Sequence, residues 1–171
     1  MTEDLADLYD QHVSGVYGYL AYRLGSRAEA ERLTEATFNR VLKGTEAPSP
    51  GDTQTRVWLL RIAREVGHRQ RRPAPTEAED LGISPALARA LDRLERHERS
   101  VLALFFGADL PGREIAAVME LEPTRVRRLL SQGIRRLRTE LDREEGRSPA
   151  PEARSAAERR PDRGQDQQQD A

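Results

Sequence analysis

Between residues 125 and 143 seven arginines, Arg125, Arg127, Arg128, Arg135, Arg136, Arg138 and Arg143, stand against two acids, Glu140 and Asp142, a local charge of +5. A guanidinium is a permanently charged, planar fork that matches phosphate oxygens, and a row of them binds a polyanion by displacing its counterions. A second row lies between residues 53 and 72, where Arg56, Arg61, Arg64, Arg69, Arg71 and Arg72 face only Glu65, again +5. Trp58 sits within that row. An indole beside arginines can stack on an unpaired base while the arginines hold the backbone. A tryptophan among Val57, Leu59 and Leu60 equally suits a hydrophobic core. Catalytic patterns are lacking: His12, His68 and His97 are scattered, no HExxH or paired metal-ligand spacing occurs, and no glycine loop could cradle a phosphate. The expected chemistry is binding, with no enzyme activity, no metal and no cofactor.

The elements that must carry these residues are helices. Leu5, Leu8, Val13, Val16, Leu20 and Leu24 step by three to five residues, the period of an amphipathic helix, which Gly25 and Ser26 close. Ala30, Leu33, Thr37, Phe38 and Val41 continue the period in a second helix. KGTEAPSPGDT, residues 43–53, has the Gly, Pro, Ser and Asp content of a loop, and RVWLLRIAREV follows as a third helix. Residues 73–83, PAPTEAEDLGI, read as a flexible connector, and Ser84-Pro85 as a helix start with Ser as cap and Pro at the first helical position.

In residues 110–141, LPGREIAAVMELEPTRVRRLLSQGIRRLRTEL, a short helix, a tight turn and a longer helix form the pattern of a helix-turn-helix, whose second helix lies in the DNA major groove. Ile115 and Val118 face inward on the first helix and Ala116 permits a close crossing. Val126, Leu129, Leu130, Ile134, Leu137 and Leu141 define one apolar side of the second. With Ala86, Leu87, Ala90, Leu91, Leu94, Val101, Leu102, Leu104 and Phe105 they make a second bundle. The expected fold is therefore all-α, two small helical domains at 1–72 and 85–145 joined by a flexible linker at 73–84, with a disordered C-terminal tail at 146–171 that has no large apolar residue.

A net charge of −1 over 171 residues says nothing of a polyanionic partner, but its distribution does, because residues 1–46 carry −3 while the two arginine helices are basic. The acidic surface is expected to serve a different partner from the basic one. No cysteine is present, which excludes disulfides and thiolate metal sites and fits a reducing cytoplasm. The acidic start MTEDLADLYDQH lacks the form of a signal peptide, and no apolar run is long enough for membrane insertion.

Taken in order, LYDQHVSGVYGYLAYRLG, AEAERLTEATFNRVL, WLLRIAREVGHRQRR, an LxxxxRxVLxLxxxxxLxxxEIAxVM segment and IRRLRTEL resemble the extracytoplasmic-function (ECF) sigma factors of bacterial RNA polymerase. The resemblance covers about residues 5–72 and 86–142 and is strongest at TRVWLLRIAR, GREIAAVM and RRLRTEL. It implies a first domain that docks on core RNA polymerase through the helix bearing Glu31, Leu33, Glu35 and Phe38. That domain would capture the melted minus-10 element with Trp58, Arg61, Arg64 and Arg69, the loop from Gly44 to Asp52 facing a flipped base. The second domain would read the minus-35 duplex of promoter DNA through Thr124, Arg125, Arg127, Arg128 and Gln132, with Arg135 and Arg136 nearer the phosphates. An anti-sigma factor is a further partner the resemblance allows. The chain departs from the family pattern at Arg32, Glu35, Glu65, Arg69, Glu120 and Leu129. These departures keep a second reading open, a degenerate sigma-like regulator that binds DNA or a protein without supporting initiation.

Overall fold

A computed structural model of the chain describes residues 2–44, 52–68, 81–144 and 146, and among them every regular element is helical. Most of the expected linker, the tail after Gly146, Arg69 and most of the Gly44–Asp52 loop lie outside the described residues.

Three helices build the first unit: α1 (Thr2–Leu24), α2 (Arg27–Lys43) and α3 (Asp52–Gly67). Gly25 reverses the chain between α1 and α2 at φ 69°, a conformation that costs a residue without Cβ little. Ser26 then caps α2, its hydroxyl accepting from the Glu29 N–H at 3.4 Å. Val16, Tyr19, Leu20 and Leu24 of α1 meet Leu33 and Phe38 of α2 and Leu59, Leu60 and Ala63 of α3 in the core. Buried Arg23 donates to the Gly67 carbonyl at 2.6 Å and fixes the end of α3 against α1.

The second unit comprises α4 (Pro85–Asp92), α5 (Arg96–Leu102), which widens into a π-helical turn at Ala103–Gly107, α6 (Gly112–Met119) and α7 (Pro123–Glu144). The expected start of α4 is observed, with Ser84 accepting from the Leu87 N–H at 3.2 Å and Pro85 in the first turn. Along α7, Val126 and Leu137 are buried and Leu129, Leu130 and Leu141 half-buried, but Ile134 is 44% exposed. Gly133 takes the inward place in that turn, because its bare Cα lies against Leu102; an added Cβ would reach Leu102 Cδ1 at 3.1 Å. Phe105 also departs from expectation and is exposed, since the π-helical turn rotates it and Phe106 outward.

The two units share one core. Val101, Ala103, Leu104, Leu110 and Ile115 belong to the same apolar cluster as Tyr19, Leu20 and Leu60. Where α1 crosses the π-helical turn, Gly18 and Gly107 bring their backbones together. A Cβ on Gly18 would fall 1.9 Å from the Gly107 oxygen, and one on Gly107 would fall 2.4 Å from the Gly18 oxygen. No other residue type fits either place without moving the two units apart.

Candidate nucleic-acid interface

Helices α6 and α7 form the helix-turn-helix. Glu120 makes its turn in the left-handed conformation, φ 55° and ψ 46°, and the following Leu121 N–H returns to the Ala116 carbonyl at 3.0 Å. Pro123 opens α7 at a position whose N–H would have no helical acceptor. Ile115, Ala116, Val118 and Val126 lock the two helices together and leave the N-terminal half of α7 outward.

On that half Thr124, Arg125, Arg127 and Arg128 are exposed and Gln132 is half-buried. None of these three arginines forms an ion pair among the described residues. Arg135 donates only to the Ser131 carbonyl within its own helix, at 3.4 Å. Arg136 differs from its expected role: it bonds Glu95 at 3.0 Å and Glu98 at 3.2 Å, and Glu98 is only 2% exposed. The two carboxylates hold the Arg136 guanidinium above its ordinary pKa. Arg136 is thus a tie between α5 and α7 whose charge is already matched. Towards the C-terminus Arg93, which follows α4, bonds Glu140 at 2.8 Å and Glu144 at 2.9 Å, and Arg89 of α4 bonds Glu144 at 2.6 Å. Arg125, Arg127 and Arg128 are therefore unpaired among the described residues, while Arg136, Glu140 and Glu144 tie the C-terminal half of α7 to the rest of the second unit.

The second arginine row is placed differently from the sequence expectation. Arg61 donates twice to the Ala117 carbonyl of α6, at 3.0 and 2.7 Å, and Arg64 donates to the Val118 carbonyl at 3.2 Å. Arg56 pairs with buried Glu114 of α6. Trp58 is half-buried, neither sealed in the core nor free, and lines a groove of about 480 Å³ with Val57, Arg61, Arg113 and Ala117. In this arrangement Arg61 and Arg64 hold protein carbonyls where a strand was expected. Glu65, a carboxylate beside the expected DNA path, is joined to Arg40 of α2 at 2.8 Å.

A larger groove of about 700 Å³ opens between α1 and α2, lined by Tyr9, Asp10, Tyr17, Glu31, Glu35 and Phe38 among others. Glu31 and Glu35 are exposed, and Glu31 also accepts from Arg27 at 2.9 Å. Leu33 corrects the expectation: it is 2% exposed and points into the bundle, because its position falls on the apolar stripe of α2. Phe38 is buried at the groove floor with its ring 4.8 Å from that of Tyr9. Sequence reasoning missed Glu98, Glu114 and the Gly18–Gly107 crossing. Their roles depend on partners distant in the chain, so no local spacing marks them. Among the described residues no group of His, Asp and Glu could hold a metal ion, and no helix is long and apolar enough to cross a membrane.

Helical bundles with a helix-turn-helix and an open arginine row define a nucleic-acid-binding protein of two helical regions. Residues 8–74 match Sigma-70 region 2 and residues 90–139 match Sigma-70, region 4, together more than half of the chain. The chain belongs to the sigma-70 family, with the two-region organisation of the ECF type. It is 28% identical over 152 residues to the ECF RNA polymerase sigma factor BldN of Streptomyces coelicolor, an alignment covering 76% of this chain and 57% of that protein. It is 39% identical over 62 residues to the RNA polymerase sigma factor FliA of Escherichia coli, covering 36% of this chain and 26% of that protein. The chain thus spans little more than half the length of the first of these relatives and about a quarter of the second.

Proposed function

We propose that this chain directs core RNA polymerase to particular promoters in the cytoplasm and catalyses no step itself. The observation that carries the reading is the free half of the arginine row on α7, held outward by a helix-turn-helix within a chain that has both sigma-70 regions. Residues 85–145 would read the minus-35 duplex through Thr124, Arg125, Arg127, Arg128 and Gln132, with Arg135 on a phosphate. Residues 1–72 would dock on the polymerase through Glu31 and Glu35, supported from within by Leu33 and Phe38, and engage the melted minus-10 strand through Trp58, Arg61, Arg64 and Arg69. An anti-sigma factor would act by covering either surface.

Transcription with purified core enzyme and a library of genomic fragments tests the reading. Promoter-dependent initiation that requires this chain is the expected result; binding to core enzyme without initiation at any fragment overturns it. One observation favours a second reading, a regulator that binds only duplex DNA: among the described residues Arg56, Arg61 and Arg64 of α3 all bond α6, whereas Arg125, Arg127 and Arg128 of α7 form no ion pair. Such a regulator would bind its sites without polymerase, and would not co-purify with it.

A further inference from the structure

Arg23 of α1 and Arg96 of α5 come from the two units and bond consecutive carbonyls at the end of α3, Gly67 O at 2.6 Å and His68 O at 3.3 Å. Arg64, one turn earlier on α3, donates to the Val118 carbonyl near the end of α6. Arg99 of α5 donates to the carbonyls of Asp92 and Leu94, where α4 ends. Among the described residues the one carboxylate within ion-pair distance of these four guanidiniums is that of Asp92, 4.0 Å from Arg99. Each of the three helix ends supplies about half a negative charge, so that with Asp92 they leave about one and a half positive charges unmatched. The surplus surrounds a side chain, that of Arg23, only 9% exposed.

Two buried groups within electrostatic reach of Arg23 have no hydrogen-bond partner among the described residues: the Tyr19 hydroxyl, on a residue 0% exposed, and the Nε of Arg99. Burial holds the Tyr19 phenol above its ordinary pKa against the pull of Arg23, Arg64 and Arg96. Burial lowers the Arg99 guanidinium, Asp92 opposes this and Arg23 adds to it, so two cations repel each other across the joint. Capping of helix ends by arginine accounts for the carbonyl bonds. It leaves the surplus charge and two orphaned groups, both able to donate, without an acceptor.

We propose that this joint is a binding site for a small, doubly charged oxyanion of the phosphate class, held by Arg23, Arg96 and Arg99 with the Tyr19 hydroxyl as a further donor. A tetrahedral dianion matches the surplus charge, and its several oxygens can accept from guanidinium forks on two helices and from the phenol together. Exposure falls from Arg96 at the rim, through half-buried Arg64 and Arg99, to buried Arg23 and Tyr19. That gradation suits one phosphoryl group and excludes a nucleic-acid strand, whose backbone needs an open groove to run along. Because α1 and α3 belong to the first unit and α5 to the second, an occupant ties the units and stabilises the folded chain. The site does not include Arg125, Arg127 or Arg128, so it stands whether or not α7 reads DNA.

The full-length protein is titrated calorimetrically with inorganic phosphate, pyrophosphate and a nucleoside triphosphate, and its thermal midpoint is followed in each against chloride at equal ionic strength. One site per chain is expected, with a midpoint that rises with ligand concentration beyond the chloride control. Binding of phosphate or pyrophosphate assigns the site to an inorganic oxyanion, and binding of the nucleotide alone assigns it to a phosphoryl end; both support it. Arg96→Gln, at the exposed rim, should weaken binding about tenfold or more, the loss that follows from one charge-assisted hydrogen bond. Tyr19→Phe should raise the midpoint in chloride, because it removes a buried unpaired hydroxyl, and yet weaken anion binding about fivefold. A purely structural tyrosine would not move the two readouts in opposite directions. Equal affinity in wild type and either variant overturns the proposal, as does a midpoint shift no larger than that of chloride. Binding that survives Arg96→Gln and is abolished by Arg127→Ala with Arg128→Ala places the anion on α7 and overturns it as well.

Discussion

Arg127 and Arg128 are exposed, unpaired among the described residues and one turn into a helix whose other side is buried, so their charges are free to meet phosphate. Replacing both with alanine should lower duplex affinity and reduce the slope of log K against log salt by about one for each phosphate that is no longer neutralised. Titrations at several salt concentrations check this, and an unaltered slope would place the DNA elsewhere. Glu120 shows a different residue-scale effect. A left-handed conformation is costly for a residue bearing Cβ, and the nearby Arg61 at 4.0 Å, both side chains being largely exposed, offsets little of that. Glu120→Gly should stabilise the protein by about 1 kcal/mol, less the extra entropy glycine gives the unfolded chain, and raise the thermal midpoint.

Helix α7 leaves its N-terminal half outward and braces the second unit with its C-terminal half, where Glu140, Glu144 and Arg136 meet partners from the α4 and α5 region. Arg93, just past the end of α4, hydrogen-bonds Glu140, and this bond, with help from Arg143, holds the Glu140 carboxyl below its ordinary pKa. A carboxyl depressed in the folded state adds stability above its unfolded pKa, and that contribution disappears as pH falls through the folded value. Chemical denaturation should therefore show the wild type losing stability below the usual carboxylate range, while Glu140→Gln loses less over the same interval. Equal acid limbs for the two proteins would mean the α4–α7 ties do not contribute in solution. The hydrophobic period located both helices, but it also put Ile134 inside; a side chain's period says which face it shares, and Gly133 shows that packing against a neighbouring helix can shift the buried stripe by one residue.

Among the described residues one apolar cluster runs from Leu33 of α2 through Tyr19 and Leu104 to Val126 of α7, and a second gathers Ala90, Leu91, Leu94, Leu102 and Leu137. Two regions that share a core unfold together, so thermal unfolding of the wild type should be one cooperative transition. Gly18→Ala, which forces apart the α1 crossing, should broaden or split it in calorimetry. Two well-separated transitions in the wild type would show that the regions fold as independent units in the free chain.

The helices, the helix-turn-helix and the family were legible in sequence because they rest on local information: 3.6-residue periodicity, the Ser84-Pro85 start, and the order of short segments such as GREIAAVM. Charge was legible too, as two rows of arginine. Which arginines are free was not. A guanidinium's availability depends on what lies within hydrogen-bond reach, and the partners of Arg56, Arg61, Arg64 and Arg136 are between 38 and 58 residues away in the chain. Only the packing of α6 against α3 decided that Arg56, Arg61 and Arg64 face protein while Arg125, Arg127 and Arg128 face outward.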